Sequence, residues 1–298
     1  MFQNEARYLD EWLAFCVLEG VEHVLLYDHF STDGARDMLQ PWINAGIVEL
    51  ISWPVPWDEG AQGKAYLDAL RRLRGRSRWA AFIDIDEFLF SPTGKRLPDV
   101  LKRYEEHCGV IVNWHCYGTS GHKQRPAGFV IESYTRRALR FWARNRRVKT
   151  IVDPLLAIEP QSPHLFSVQP GEALVMEDLT PVHVVRTKNG RRRLRYLAAL
   201  LPYLPFDPYS VMRPSVERIS VRNLRINHYA TRSEEERQLK YKDRSRMDER
   251  DRRTHWRYHD RNEVEDAILV PKAEAVRKII RAIRSGARPL ERPERALP

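Results

Sequence analysis

The 298-residue sequence predicts an α/β fold, a mostly parallel sheet flanked by helices, with a charged helical C-terminal extension. Three observations lead there. Helical and strand-like patterns alternate from residue 5 to residue 118, as they do in βαβ units. The strand candidates are near-continuous apolar runs, as expected of strands covered on both faces. After residue 120 the alternation decays into short apolar pieces, prolines and arginine runs.

The elements follow in order. Residues 5–19 place Tyr8, Leu9, Trp12, Leu13, Phe15 and Cys16 at helical spacing, and Gly20 is the stop. VEHVLLYD (21–28) is a strand running into the polar loop DHFSTDG. ARDMLQPWINAG is a second helix with a proline irregularity, and IVELISW (47–53) a second strand. AQGKAYLDALRRLRG (61–75) is a helix with Tyr66, Leu67, Leu70 and Leu73 on its apolar face. SRWAAFIDIDEF is a third strand, LPDVLKRYEEH a helix and GVIVNWHCYG (109–118) a fourth strand. Residues 233–261 read as an exposed charged helix, 263–284 as an amphipathic one, and RPLERPERALP as a frayed tail. The division is therefore 1–232 for the catalytic-type domain and 233–298 for the extension.

Composition bounds the function. A hydrophobic content of 43% supports a sizeable core, while Gly 14 and Pro 19 exclude low complexity. Cys16, Cys108 and Cys116 are an odd number and match no metal spacing, which points to reduced thiols. No apolar run reaches the roughly 20 residues of a membrane span. The opening MFQNEARYLDEW lacks the basic and apolar regions of a signal peptide. A cytoplasmic protein is expected. The formal charge of +10 favours anionic partners, with arginine concentrated in RRALRFWARNRRVK, GRRRLR (190–195) and DRSRMDERDRRTHWRYHDR (243–261). These runs lack an aromatic platform or zinc pattern, so no nucleic acid is expected. They motivate peripheral contact with an anionic membrane face, or a solvated surface.

FIDIDEF (82–88) sets three carboxylates in an apolar run. Burying charge costs several kcal/mol unless it is compensated. Asp84 and Asp86, one residue apart as the chain leaves the sheet, suit a shared Mn²⁺ or Mg²⁺. The alternative is a turn cap or a pairing with one of the 50 Lys and Arg residues. Both YDHFSTD and DIDEF lie at carboxyl ends of strands, the edge where such sheets bind ligands.

Six blocks carry a family resemblance: NEARYLDEWLAF, GVEHVLLYDHFSTDG, QGKAYLDAL, WAAFIDIDEFLF, WHCYGTSGHKQRPAGFVIESYTRR and INHYATRSEEE. In this order, over roughly residues 2 to 240, the sequence resembles glycosyltransferase family 92, formerly a domain of unknown function. That family is related to family 2 enzymes with the Rossmann-type GT-A fold. The resemblance implies a metal-dependent, inverting transferase moving a sugar from a nucleotide-sugar donor to a glycan or lipid-linked acceptor. The expected setting is a bacterial-type surface polysaccharide or glycolipid. A UDP-linked donor is implied, UDP-galactose being common among eukaryotic members.

The resemblance also implies roles. Asp84 and Asp86 match the metal and donor motif, with Asp86 weighted most, and His228 in INHY matches a late histidine that completes the metal or diphosphate site. Asn4, Glu5, Asp28 and Asp33 would line the nucleotide pocket with Gln62. Trp114, Tyr117, His122 and Arg125 would form the acceptor side, by stacking on sugar faces and hydrogen-bonding hydroxyls. The alternative there is a hairpin with core aromatics. Single displacement needs one base, and the candidates are Glu132, Asp178 and His122. Glu132, beside the acceptor loop, is preferred over the alternative that it caps a helix and pairs with Arg136 or Arg137. Two departures stand out. Family members carry a strand ahead of NE, and here almost nothing precedes Asn4. Cys16 stands where relatives commonly have His. Against the transferase stand an Arg-rich nucleic-acid or anionic-membrane binding protein, a nucleotidyl- or phosphotransferase, and a catalytically degenerate transferase. No GxxxxGK[ST] loop supports the second of these.

Overall fold

A computed structural model describes residues 1–182, 219–242, 256 and 258–287 of the chain. The first helix, α1 (Ala6–Glu19), ends at Gly20, whose backbone is left-handed at φ 99°. A Cβ there would also strike the Pro98 ring at 2.6 Å, so glycine is required twice over. Strand β1 (Val24–Asp28) leads into α2 (Ala35–Asn44), which continues through Pro41. It then pairs in parallel with β2 (Val48–Ser52), from Val24 opposite Val48 to Asp28 opposite Ser52. Ahead of Asn4, Phe2 makes a parallel bridge with Asp28. Its N–H donates to the Tyr27 carbonyl at 2.9 Å, and its carbonyl accepts from His29 N–H at 2.8 Å. One residue thus stands where a whole strand was expected to be missing.

Helix α3 (Ala61–Leu73) buries Ala65, Tyr66, Ala69 and Leu70. The predicted third strand is instead two short ones, β3 (Ala80–Ala81) and β4 (Glu87–Phe90), separated by a turn at Asp84–Glu87. After α4 (Leu97–Leu101), strand β5 (Gly109–Cys116) is buried at every position. The second half adds α5 (Val130–Ser133), β6 (Arg136–Arg137), β7 (Val148–Val152), β8 (Ala157–Pro160), β9 (Phe166–Val168), β10 (Leu174–Met176) and β11 (Pro181–Val182). Next come β12 (Arg225–His228), α6 (Glu234–Lys242), β13 (Val264–Glu265) and α7 (Ala273–Arg284).

Strand β5 is the spine of the α/β fold. On one side it pairs in parallel with β10 near its start and with β12 near its end. On the other side it pairs antiparallel with β7, which continues to β3. Antiparallel β4 completes the edge beside β12, with His228 opposite Glu87. The predicted parallel crossovers therefore form the β1/β2 pair and the β5 flanks, while β4 and β7 run the other way. All three cysteines are free and buried. Among the described residues no helix is long and apolar enough to cross a membrane.

The segment after residue 232 is not a separate extension. Strand β13 pairs with β6, and Val276, Ile279 and Ile283 of α7 join the core with Leu9, Leu13 and Phe15 of α1. The helix expected over 263–284 begins at Ala273, after β13 and a short 3₁₀ turn. The helix expected over 233–261 is seen as α6, and it buries Glu236. The arginine run at 190–195, most of the one at 243–261, and the tail from 288 lie outside the described residues.

A buried carboxylate ties α1 to the second half. Glu11 accepts the N–H groups of Val130 and Ile131 at 2.8 and 3.0 Å, at the start of α5. Burial raises its carboxyl to about 7, against the pull of those two donors. Folding therefore favours the protonated form. The stability this contributes is complete below the ordinary value of 4.5 and is lost as pH rises through about 7.

Two outcomes are expected. Ile283→Ala should cost about 2–5 kcal/mol in urea unfolding, because it opens a cavity in the shared core; a cost near zero would show α7 to be dispensable. Relative to non-titrating Glu11→Gln, wild type should lose about 3 kcal/mol of unfolding free energy between pH 4.5 and pH 7. Parallel pH profiles for the two proteins would refute that coupling.

Candidate active site

The acidic turn is built by its own side chains. Glu87 N–H donates to the Asp84 carbonyl at 3.0 Å, and Asp84 N–H donates to the Glu87 carboxylate at 2.9 Å. What neutralises the inner carboxylates is Lys149 of β7, 1% exposed at its side chain. Its Nζ lies 2.9 Å from Asp84 Oδ2 and 3.2 Å from Glu87 Oε2. Burial alone would discharge this lysine, but Asp84 and Glu87 hold its pKa well above the usual value. Burial raises Glu87 to about 7 in spite of Lys149. Of the two sequence alternatives for Asp84, pairing with a lysine is the one realised.

Asp86 points elsewhere. The β4–β12 ladder brings His228 beside it, and Tyr229 N–H donates to the Asp86 carbonyl at 2.8 Å. His228 Nε2 lies 3.6 Å from Asp86 Oδ1, and Lys240 Nζ lies 2.7 Å from Oδ2. Burial works against ionising Asp86, yet Lys240 and His228 hold its carboxyl well below the usual range. Burial would likewise discharge His228, and the facing Asp86 lifts it to about 10. Two carboxylates and an imidazole are the donor chemistry of Mn²⁺ or Mg²⁺. The structure brings Asp86 and His228 together and turns Asp84 onto Lys149. Among the described residues no group of three or more His, Cys, Asp or Glu side chains is arranged to hold a metal ion.

Lys240 opens onto a cleft of about 240 Å³ lined also by Asn4, Glu5, Asp33, Arg125 and Arg232. Asn4 sits in the left-handed region at φ 55°, and its Oδ1 accepts Thr32 N–H at 2.8 Å. Asp33 accepts the Ala6 N–H of α1 at 2.8 Å, and Glu5 pairs with Arg232 at 3.2 Å. A second cleft of about 210 Å³ is lined by Glu11, Phe129 and Tyr134 and shares Arg7, Tyr8 and Glu236 with the first. Glu236 accepts the Tyr8 hydroxyl at 2.5 Å, the Tyr134 hydroxyl, and the hydroxyl and N–H of Ser233.

Several expected site residues lie elsewhere. Asp28 is buried, with Arg36 donating to it at 2.7 Å and Ser31 N–H at 3.0 Å, so its oxygens are committed to the loop. Gln62 donates to the Tyr66 hydroxyl at 3.2 Å and lines neither cleft. Trp114 is a core residue, its indole N–H on the Arg144 carbonyl at 2.6 Å and its ring packed 4.4 Å from His228. Tyr117 is equally buried, accepting from Arg225 at 2.7 Å and donating to the Asp266 carbonyl at 3.2 Å. Neither offers a face to a sugar, because strand β5 is covered on both sides. His122 is tied to the Ser133 carbonyl at 2.9 Å.

Glu132 is held as a cap. It accepts Phe129 N–H at 3.3 Å and pairs with Arg277 of α7, not with Arg136 or Arg137. Asp178 accepts Thr180 N–H within its own turn at 3.2 Å.

Lys149, Arg232, Glu236 and Lys240 went unread in the sequence. Lys149 is the lone charge in VKTIV, the counterpart of the charges in FIDIDEF. Glu236 and Lys240 are four residues apart on one face of α6, and Arg232 lies just ahead of that helix.

The family model described as Glycosyltransferase family 92 matches residues 1–265. A glycosyltransferase family 92 protein of Ricinus communis is 33% identical over 159 residues, which is 52% of this chain and 28% of that protein. Another, of Oryza sativa subsp. japonica, is 32% identical over 157 residues, 52% of this chain and 26% of its own. The chain thus spans about a quarter of the length of these curated relatives. They are plant proteins and lend no support to a bacterial polysaccharide setting. Among solved structures, S. aureus TarS 1–349 aligns with 51% of this chain and 45% of that chain, at 18% identity and a TM-score of 0.33. That likeness carries no weight here. The family match runs through every element of the site, from Phe2 to β13, and the chain belongs to glycosyltransferase family 92.

Proposed function

We propose that this chain is a hexosyl-type glycosyltransferase. It takes a sugar from a nucleotide-sugar donor, UDP-linked, and passes it with inversion to a glycan or lipid-linked acceptor. The observation that carries this reading is the pairing of Asp86 with His228 beside the first cleft. The first cleft takes the donor, with Asn4, Glu5 and Asp33 as polar contacts for the nucleoside. The second takes the acceptor, between α1 and the Pro126–Val130 loop. Asp86 and His228 would hold Mn²⁺ or Mg²⁺, with donor phosphate oxygens among the remaining ligands. Such an ion supplies charge neutralisation for the leaving diphosphate. The residues themselves orient: the Trp114 ring packs against the imidazole, and Lys149 engages Asp84 and Glu87 while Asp86 turns to His228 and Lys240.

This reading puts the chain at the cytoplasmic face of a membrane with a membrane-bound acceptor, and a surface feature supports the membrane contact. Leu139 and Phe141 are 54% and 62% exposed on either side of Arg140. Apolar tips interleaved with arginine suit the headgroup boundary of an anionic bilayer.

Two measurements test these readings. UDP with Mn²⁺ should raise the melting temperature of wild type, since a ligand at about 100 Kd adds roughly 2.7 kcal/mol. Asp86→Asn should stay folded, lose that shift, and transfer sugar from UDP-sugars at least about a hundredfold more slowly; normal turnover by the variant would sink the assignment. In co-sedimentation with phosphatidylserine vesicles, wild type should pellet and the Leu139→Ser/Phe141→Ser variant should not. Equal pelleting of the two would rule out this tip as the contact.

A further inference from the structure

We propose that Arg232 and Lys240 form a diphosphate-binding subsite in the first cleft that works without a metal ion. The inference rests on the nucleotide-sugar reading and adds to it a second, purely cationic grip.

Arg232 is the most constrained cation in the cleft. It is 4% exposed, and its backbone is left-handed at φ 52°, a conformation a non-glycine residue adopts at a cost. Its guanidinium lies 3.4 Å over the Tyr8 ring, and Nη1 meets Glu5 at 3.2 Å. Two further nitrogens, Nε and Nη2, are buried and have no hydrogen-bond partner among the described residues. Arg225, by contrast, leaves only Nε unanswered, and it does not line the cleft. Buried charged donors without acceptors are rare, and each one calls for an explanation. Here the explanation is a ligand oxygen, because Arg232 lines the cleft.

Lys240 supplies the second contact. Its Nζ stands on Asp86 at 2.7 Å, and the residue lines the cleft. A planar fork beside a mobile ammonium is the pairing that grips phosphate oxygens. The charge balance selects the ligand class. Arg7 and Arg125 line the same cleft with Arg232 and Lys240, so the cations outnumber the carboxylates Glu5, Asp33 and Glu236, and the attraction of an anion grows with its charge, which favours a diphosphate over a singly charged anion. When Lys240 turns to the diphosphate, Asp86 is released.

The test is calorimetric titration of the whole chain in EDTA at low salt, with inorganic pyrophosphate and UDP in separate arms. Wild type should bind both. Arg232→Gln should weaken both at least tenfold, and Lys240→Gln, on a partly exposed helical face where misfolding is not expected, should weaken both at least threefold. Binding of UDP alone would overturn the proposal, since the nucleoside would then be the source of affinity. So would unchanged affinity in folded Arg232→Gln or in Lys240→Gln, or no pyrophosphate binding by wild type. Sugar turnover with Mn²⁺ separates the two readings. Turnover without metal-free pyrophosphate binding leaves the transferase standing and removes the subsite. Arg232-dependent pyrophosphate binding without turnover of any nucleotide-sugar does the reverse.

Discussion

An ammonium buried between two carboxylates holds the acidic turn in shape. Lys149 and Glu87 are each 1% exposed at their side chains while Asp84 keeps 37%, so the two inner groups, each costly to desolvate alone, are stable only together. Lys149 reaches Asp84 and Glu87 from β7, the strand that pairs with β3 just ahead of the turn. The same Glu87 carboxylate accepts the Asp84 N–H, and His228 lies opposite Glu87 in the β4–β12 ladder. One cation therefore fixes the turn, the register of the edge strand and the direction of Asp86.

The two aspartates of the pair then have different electrostatic fates. Asp84 is neutralised by a lysine that no solvent reaches, and exchanging that partner would strand buried charges. Asp86 is neutralised by Lys240, which is partly exposed and sits at a cleft mouth, and by a histidine at 3.6 Å, too long for a hydrogen bond. Its compensation is exchangeable. The fold divides the pair, with the first carboxylate on a buried lysine of the sheet and the second on a histidine and a partly exposed lysine.

Much of this was legible in residue patterns. Helix α1 and its glycine stop, the β1/β2 pair and the apolar face of α3 follow from periodicity and punctuation. The charges inside FIDIDEF demand a compensating cation, and VKTIV holds it as a lone lysine in an apolar strand, which itself demands an acidic partner. Two readings failed for physical reasons. Trp114 and Tyr117 belong to a run without polar alternation, GVIVNWHCYG, and such a run belongs to a strand with no solvent face. Glu132 follows Phe129 by three residues, the position from which a carboxylate returns to cap the first turn. The reach of α7 into the core escaped notice because its arginines dominate its composition, while Val276, Ile279 and Ile283 carry its packing.

Glu236 links the two clefts mechanically. With Ser233 it closes the first turn of α6, each residue's side chain answering the other's N–H. The same carboxylate also receives Tyr8 from α1 and Tyr134 from the end of α5. Burial opposes its ionisation, yet these donors keep its carboxyl below the ordinary range, so the hub stays charged and fully occupied. Tyr8 in turn is the ring beneath Arg232. A shift of α6 that moved Lys240 would therefore pull on Glu236, and through it on the aromatic walls of both clefts. Two clefts that share a wall hung from one carboxylate cannot adjust independently, and that coupling is set by residues far apart in sequence and adjacent in the fold.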